Sequence, residues 1–287
     1  MIPVGSPLRT ALAWSVFPVL MTASTAGTLI MLDRGIPASA ALVIVSVVFG
    51  LAVIALEWLC PFERAWVRPQ GDLLTDACHL VVTGIFIEWT PSLAISDRLQ
   101  TDLWPNHWPL VVQLPFALLV TDFVGYWVHR LHHSVLWRFH AVHHSAPRLY
   151  WLNTVRTHPV EALIYVFGVF APLLVLGASE QVLTLYVVFA TVFRLLQHSN
   201  VDVRLGPLNW VFSMAELHRW HHSRNIDEAD SNFGNIVIVW DVVFGTRYLP
   251  GHRPPADVGI ADMPGFPTGY LQQVAIPFRR WPWARVR

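Results

Sequence analysis

Three stretches of this chain repeat one histidine spacing: His129-Arg-Leu-His132-His133, His140-Ala-Val-His143-His144 and His218-Arg-Trp-His221-His222. Residues three and four apart on a helix share a face. His140 and His144, with His143 beside them, are therefore expected to aim their imidazoles at one small volume, and the other two clusters likewise. Imidazole is largely neutral near pH 7, is held in one tautomer by an acceptor on its far nitrogen, and ligates Fe, Zn, Cu or Ni. With His198 and His158 added, the clusters offer more ligands than one octahedral ion accepts, whereas two ions sharing them leave positions open for oxygen or water. Two metals is the simpler reading. The candidate ligands are His129, His133, His140, His143, His144, His158, His198, His218, His221 and His222. His132 stands about 100° around a helix from His133 and is expected to be a bystander. His79, His107 and His252 are read as ordinary core or surface residues.

Two carboxylates are candidates for orienting these rings. Asp122 precedes His129 by two helical turns inside an apolar segment, where a lone carboxylate needs a reason, and is expected to accept from an imidazole N–H. Glu161 follows His158-Pro159 and either does the same or serves as an ordinary acid in a first helical turn.

The elements that must position these groups are read from composition. The 287 residues are 54% hydrophobic and 13% charged, with mean hydropathy +0.46, which predicts a membrane protein. Apolar runs at 11–32, 38–58, 109–128, 160–177 and 181–196 lie near the length that spans a bilayer. A sixth, at 74–95, carries Asp76, His79, Glu88 and Pro91 and is a span, half of a re-entrant hairpin, or an interfacial helix. The first run is longer than a signal-peptide core and is expected to be retained. The runs form hairpins that return to one compartment, and all three clusters plus His158 and His198 fall on that side. Residues 126–144 contain no Gly or Pro and read as one helix or two short ones, ended by Pro147. The fold expected is all-α, a polytopic helical membrane bundle of about 4–6 spans with a helical cap carrying a histidine-rich dimetal site.

Basic residues set the orientation. There is no lysine, and of the arginines only Arg34 and Arg98 fall in outward loops. Arg9, Arg64, Arg68, Arg130, Arg138, Arg148 and Arg156 share the histidine side, which is then cytoplasmic. The chain is expected in a bacterial inner membrane. Zero formal net charge removes any electrostatic case for nucleic acid. Cys60 and Cys78 lack dithiol spacing and are read as structural. Trp104, Trp108, Trp151 and Trp281 are expected to mark interface depth. Residues 251–287, with six of the 21 prolines, read as an irregular interfacial tail.

Residues 122–161 contain W-V-H-R-L-H-H, W-R-F-H-A-V-H-H-S and R-T-H-P-V-E. Q-H-S-N begins at Gln197, L-H-R-W-H-H-S at Leu217, N-F-G-N at Asn232 and W-D-V-V-F-G-T at Trp240. This string resembles the fatty acid hydroxylase and sterol desaturase superfamily over residues 109–250. That span is expected to form the catalytic domain, after N-terminal hairpins at 1–108 and before the tail at 251–287. By that resemblance the first box falls on His129 and His133, the next two on His140, His143, His144 and on His218, His221, His222, with His158 and His198 at accessory positions. The departures are Met214-Ala215, where many relatives carry Thr-Pro, and the extra imidazole of His132.

The resemblance implies a di-iron centre, although zinc is also possible as purified. It further implies O2, an external ferredoxin or cytochrome-type electron donor, and hydroxylation or desaturation of a fatty acyl, sterol or isoprenoid lipid. The chain has no G-x-G-x-x-G after a strand, no phosphate loop and no cysteine set for an iron–sulfur cluster, so electrons are expected from outside. Two other classes compete: a membrane zinc hydrolase, against which this chain has no H-E-x-x-H to supply a catalytic Glu, and a metal-binding or transport protein, which would place its ligands at mid-membrane rather than at helix ends.

Overall fold

A computed structural model describes residues 1–94, 101–261, 263, 265–280 and 283, with residues 84–94 described by backbone alone. Glu88, Pro91, Ile95, Arg98 and Trp281 therefore fall outside what is described of side chains. The described residues are helical without a strand, and isolated bridges such as Pro61 to Val201 are the only extended pairing.

Among the described residues, five helical segments are long and apolar enough to cross a membrane. They are α1 (Pro7–Asp33), α2 (Ala38–Leu59), α4 (Leu110–His132), the composite Pro159–Leu176 and α8 (Glu180–His198). α3 (Leu73–Ala94) packs beside them, and its part with described side chains, Leu73–Thr83, is apolar but shorter. The composite consists of α6 (Pro159–Tyr165), a π turn at Val166–Phe170 and α7 (Ala171–Leu176). Gly177 ends α7 at φ 82°, a left-handed conformation where a Cβ would run into the Thr101 carbonyl. Ser179 then accepts from Val182 N and starts α8.

α8 is the axis of the bundle. Val182, Val188, Val192, Phe193 and Leu196 are buried, and they share one apolar cluster with Val16, Phe17 and Met21 of α1, Val45 and Val53 of α2, and Ala117 and Leu118 of α4. The opposite faces of α1 and α2 leave Val19, Ile30, Val43, Val47, Leu51 and Trp58 exposed, as a lipid-facing surface would. Trp104 departs from the expected interface role: it is buried against Phe116, and its indole N–H donates to Gln113.

Beyond the spans, buried polar contacts join the cap to the helices, beside small apolar clusters such as Trp66, Leu149 and Val258. Arg148 and Arg156 reach back to Asp72 and Asp76, each at 2.5 Å, and Glu57 accepts the backbone N–H groups of Trp151 and Asn200 at 2.8 Å. The cap helices are α5 (Trp137–His144), α9 (Ala215–His221), α10 (Ile226–Ala229), α11 (Val239–Phe244) and, in the tail, α12 (Tyr270–Ala275).

Candidate metal centre

Packing of α4, α5, α8 and α9 gathers the histidines into two groups. His129, His133, His140, His144 and His221 form one; His143, His198, His218 and His222 form the other. Within each, one ligand atom per residue lies within 4.8 Å of the rest, and every member is buried.

The division corrects the reading that each cluster serves one volume. Each H-x-x-H-H box is split: His140 and His144 stay together while His143 joins the other group, and His218 and His222 stay together while His221 crosses over. Positions i and i+4 differ by about 40° around a helix, but i+3 lies about 100° from i+4, so the middle imidazole faces the neighbouring volume.

The far nitrogens fix the tautomers. The Nδ1–H groups of His129, His143, His198 and His221 donate to the carbonyls of Phe233, Arg156, Arg194 and Ser231 at 2.8, 3.2, 3.1 and 2.7 Å. His133 donates to Asp230 at 3.1 Å, and His140 to Glu161 at 2.6 Å. A carbonyl only accepts, so those rings carry their proton on Nδ1 and a bare lone pair on Nε2. Yet Nε2 atoms face one another at 3.2 Å for His129 and His140, 3.1 Å for His140 and His144, 3.3 Å for His143 and His198, and 2.9 Å for His198 and His218. For His129 and His140, and for His143 and His198, both facing Nε2 lone pairs are bare, and two lone pairs so close repel unless a cation sits between them. The spacing is also that of neighbouring ligands on an octahedral ion with metal–nitrogen bonds of about 2.1 Å, which stand roughly 3.0 Å apart. The residues present therefore fit two metal ions.

Burial favours the form that ligates. It pushes His143 below the ordinary histidine value. It pushes His144, His218 and His222 well below, helped by neighbouring imidazoles, so these rings are neutral at pH 7.

The remaining candidates divide. Glu161 accepts from His140 Nδ1 and also stands in the first turn of α6, so both roles considered for it are present. Asp122 touches no ring: its Oδ2 accepts from Ile236 N at 2.7 Å and from Val237 N, pinning the loop whose Phe233 carbonyl holds His129. Its influence on the centre is one step removed, because α4 presents it to the returning backbone. His158 lies outside both groups; it caps α6 by accepting from Val160 N at 3.1 Å and donates to the Val274 carbonyl at 3.0 Å. His132 packs its ring on Tyr165, donates to Val128 O and lies outside both groups. His79 is engaged by Thr157 O and Gln273 Oε1. Asp230 escaped the reading from sequence, and so did the four carbonyls, since a backbone oxygen leaves no residue signature.

The fold and this site define an integral membrane protein with two adjoining groups of buried histidines that could each hold a metal ion. The fatty acid hydroxylase family profile matches residues 114–246. The ornithine lipid hydroxylase OlsE of Rhizobium tropici is 36% identical over 246 residues, covering 80% of this chain and 73% of that protein. The alkylglycerol monooxygenase of Homo sapiens is 35% identical over 214 residues, 69% of this chain and 46% of the relative, so the chain spans about half its length. Methylsterol monooxygenase 1 of Gallus gallus is 29% identical over 146 residues, 50% and 48% of the two chains. No solved structure matches. The chain belongs to the fatty acid hydroxylase family, and it is an enzyme of the oxygenase type.

Proposed function

We propose that this chain is a di-iron, O2-dependent oxidoreductase that hydroxylates or desaturates a fatty acyl, sterol or isoprenoid lipid from within the bilayer. The observation that carries the metal reading is the His143–His198 pair, two lone-pair nitrogens 3.3 Å apart with both far N–H groups committed to carbonyls. In this reading His129, His133, His140, His144 and His221 hold one iron, and His143, His198, His218 and His222 the other.

Two redox ions there would supply the activation of dioxygen toward a C–H bond. For hydroxylation the balance is R–H plus O2, two electrons and two protons giving R–OH and water, and the electrons come from a ferredoxin or cytochrome-type donor. The protein's own part is to keep the rings neutral, to hold their N–H protons at Glu161, Asp230 and the carbonyls, and to exclude water. The arginine distribution supports a cytoplasmic site in a bacterial inner membrane.

The test is metal stoichiometry and Mössbauer spectroscopy on protein produced with iron, beside a His143→Ala, His144→Ala double variant that removes one ligand from each group. Two irons per chain, lost in the variant, support the proposal. One metal or none, unchanged by the variant, overturns it, and two zinc ions without iron would favour the hydrolase.

A further inference from the structure

A cavity of about 100 Å³ opens among α4, α6 and α8, against both histidine groups: His129 and His140 of one line it, and so do His143, His198 and His218 of the other. The rest of its wall is mixed: Arg194, Gln197, Asn235 and Thr154 on one part, and on another the Glu161 carboxylate, already engaged by His140, beside the apolar Ala162 and Val166.

Arg194 is the anomaly. It lies one turn before His198 on a spanning helix, where a charged group is costly and as a rule faces a cavity with a functional partner. The other arginines of the interior are answered: Arg9 by Asp202, Arg148 by Asp72, Arg156 by Asp76, and Arg219 by two carbonyls and the face of Phe62. Among the described residues no carboxylate lies within 4 Å of the Arg194 guanidinium, no hydrogen bond leaves it, and no ring covers it. Its backbone carbonyl is used by Thr154 and His198, and its charge reaches the buried Asp122 only through space, without contact. On the same wall the Asn235 amide nitrogen is buried without a partner.

The geometry points to Arg194 as the docking group for an oxygen acceptor of the substrate, a carboxylate or acyl carbonyl at the end of a hydrocarbon chain. The inference rests on the lipid-oxidising reading of the site. A guanidinium presents a planar fork of donors that matches a carboxylate, and Asn235 adds a further donor. Size decides how much of the substrate enters. About 100 Å³ is well below the roughly 300 Å³ at which pockets for whole drug-sized ligands begin, so the cavity accepts the oxygen-bearing end while the chain runs out among the spans. A chain anchored by that oxygen presents its nearest carbons, rather than mid-chain carbons, to the histidines on the opposite wall. Arg194 is thus a specificity-determining residue.

Binding without turnover tests this. The full chain in nanodiscs is titrated with hexanoate, hexanamide and hexylamine by calorimetry and saturation-transfer NMR, against empty nanodiscs, for the wild type, Arg194→Gln and Arg194→Lys. The expected result is hexanoate binding that weakens at least tenfold in Arg194→Gln and partly returns in Arg194→Lys, with hexylamine not binding. A loss confined to hexanoate identifies a free carboxylate as the ligand; an equal loss of hexanamide identifies the carbonyl of an ester or amide. Hexanoate affinity unchanged within twofold in Arg194→Gln, no binding of either oxygen probe to the wild type, or hexylamine binding as tightly, would overturn the inference. Metal content of each variant is measured in parallel. If the oxygenase reading fails because the metal is zinc, the dependence of hexanoate on Arg194 is still read, since no step of this experiment uses catalysis.

Discussion

The Glu161 carboxylate accepts the Nδ1–H of His140 at 2.6 Å, with both side chains buried and His140 Nε2 facing both His129 and His144. An acid at the start of α6 thereby sets the orientation of the ring on which one histidine group turns.

Removing that acceptor frees the ring. Glu161→Ala is expected to weaken metal retention at the first group about 10–100-fold, with Glu161→Gln losing less because its carbonyl still accepts. Metal counted after a timed chelator challenge is the check; unchanged retention in Glu161→Ala would show that His140 needs no such partner.

His158 offers the opposite expectation. Its two ring nitrogens serve Val160 N and the Val274 carbonyl, so His158→Gln should keep the full metal complement while loosening the tail around α12. Metal analysis and limited proteolysis of the tail separate the two effects. Loss of a whole metal equivalent would return His158 to the ligand set.

Asp122 acts on folding before it acts on metal. Asp122→Ala leaves two buried backbone N–H groups unpaired, at about 1–3 kcal/mol each, so the thermal midpoint in detergent should fall clearly. The metal content of the fraction that stays folded should be close to wild type. A variant as stable as wild type but depleted of metal would contradict this role.

The Arg148–Asp72 pair predicts a pH dependence. Burial by itself would raise the Asp72 carboxyl, but hydrogen bonds from Arg148 and Gln70 N and the Arg148 charge outweigh it, leaving the group below its ordinary value. A lowered folded value gives stability that is fully present above about pH 4 and is lost as the pH falls through the folded value. In unfolding measured from pH 7 to pH 3, Asp72→Asn should start less stable and lose less on acidification than wild type. Parallel curves would exclude the pair as the source.

The histidine boxes, their helical setting and the five apolar segments with their approximate ends are legible in the sequence, because the 3.6-residue period and the bilayer's thickness act locally on consecutive residues. The π turn within Pro159–Leu176 is not. Which imidazole joins which group is not legible. His143 and His144 are neighbours in sequence, yet one meets His198 and the other His140, since that choice depends on how α4, α5, α8 and α9 pack. The same limit applies to Asp122, which in sequence lies two turns from His129 and in space holds a loop from the far end of the chain. It applies to Arg194 as well: a lone arginine in an apolar run has no partner readable from its neighbours, and only the closed bundle shows that it lines the cavity beside the histidines. Local periodicity determined which residues could ligate; long-range packing decided the grouping, the hydrogen-bond acceptors and the space left for a substrate.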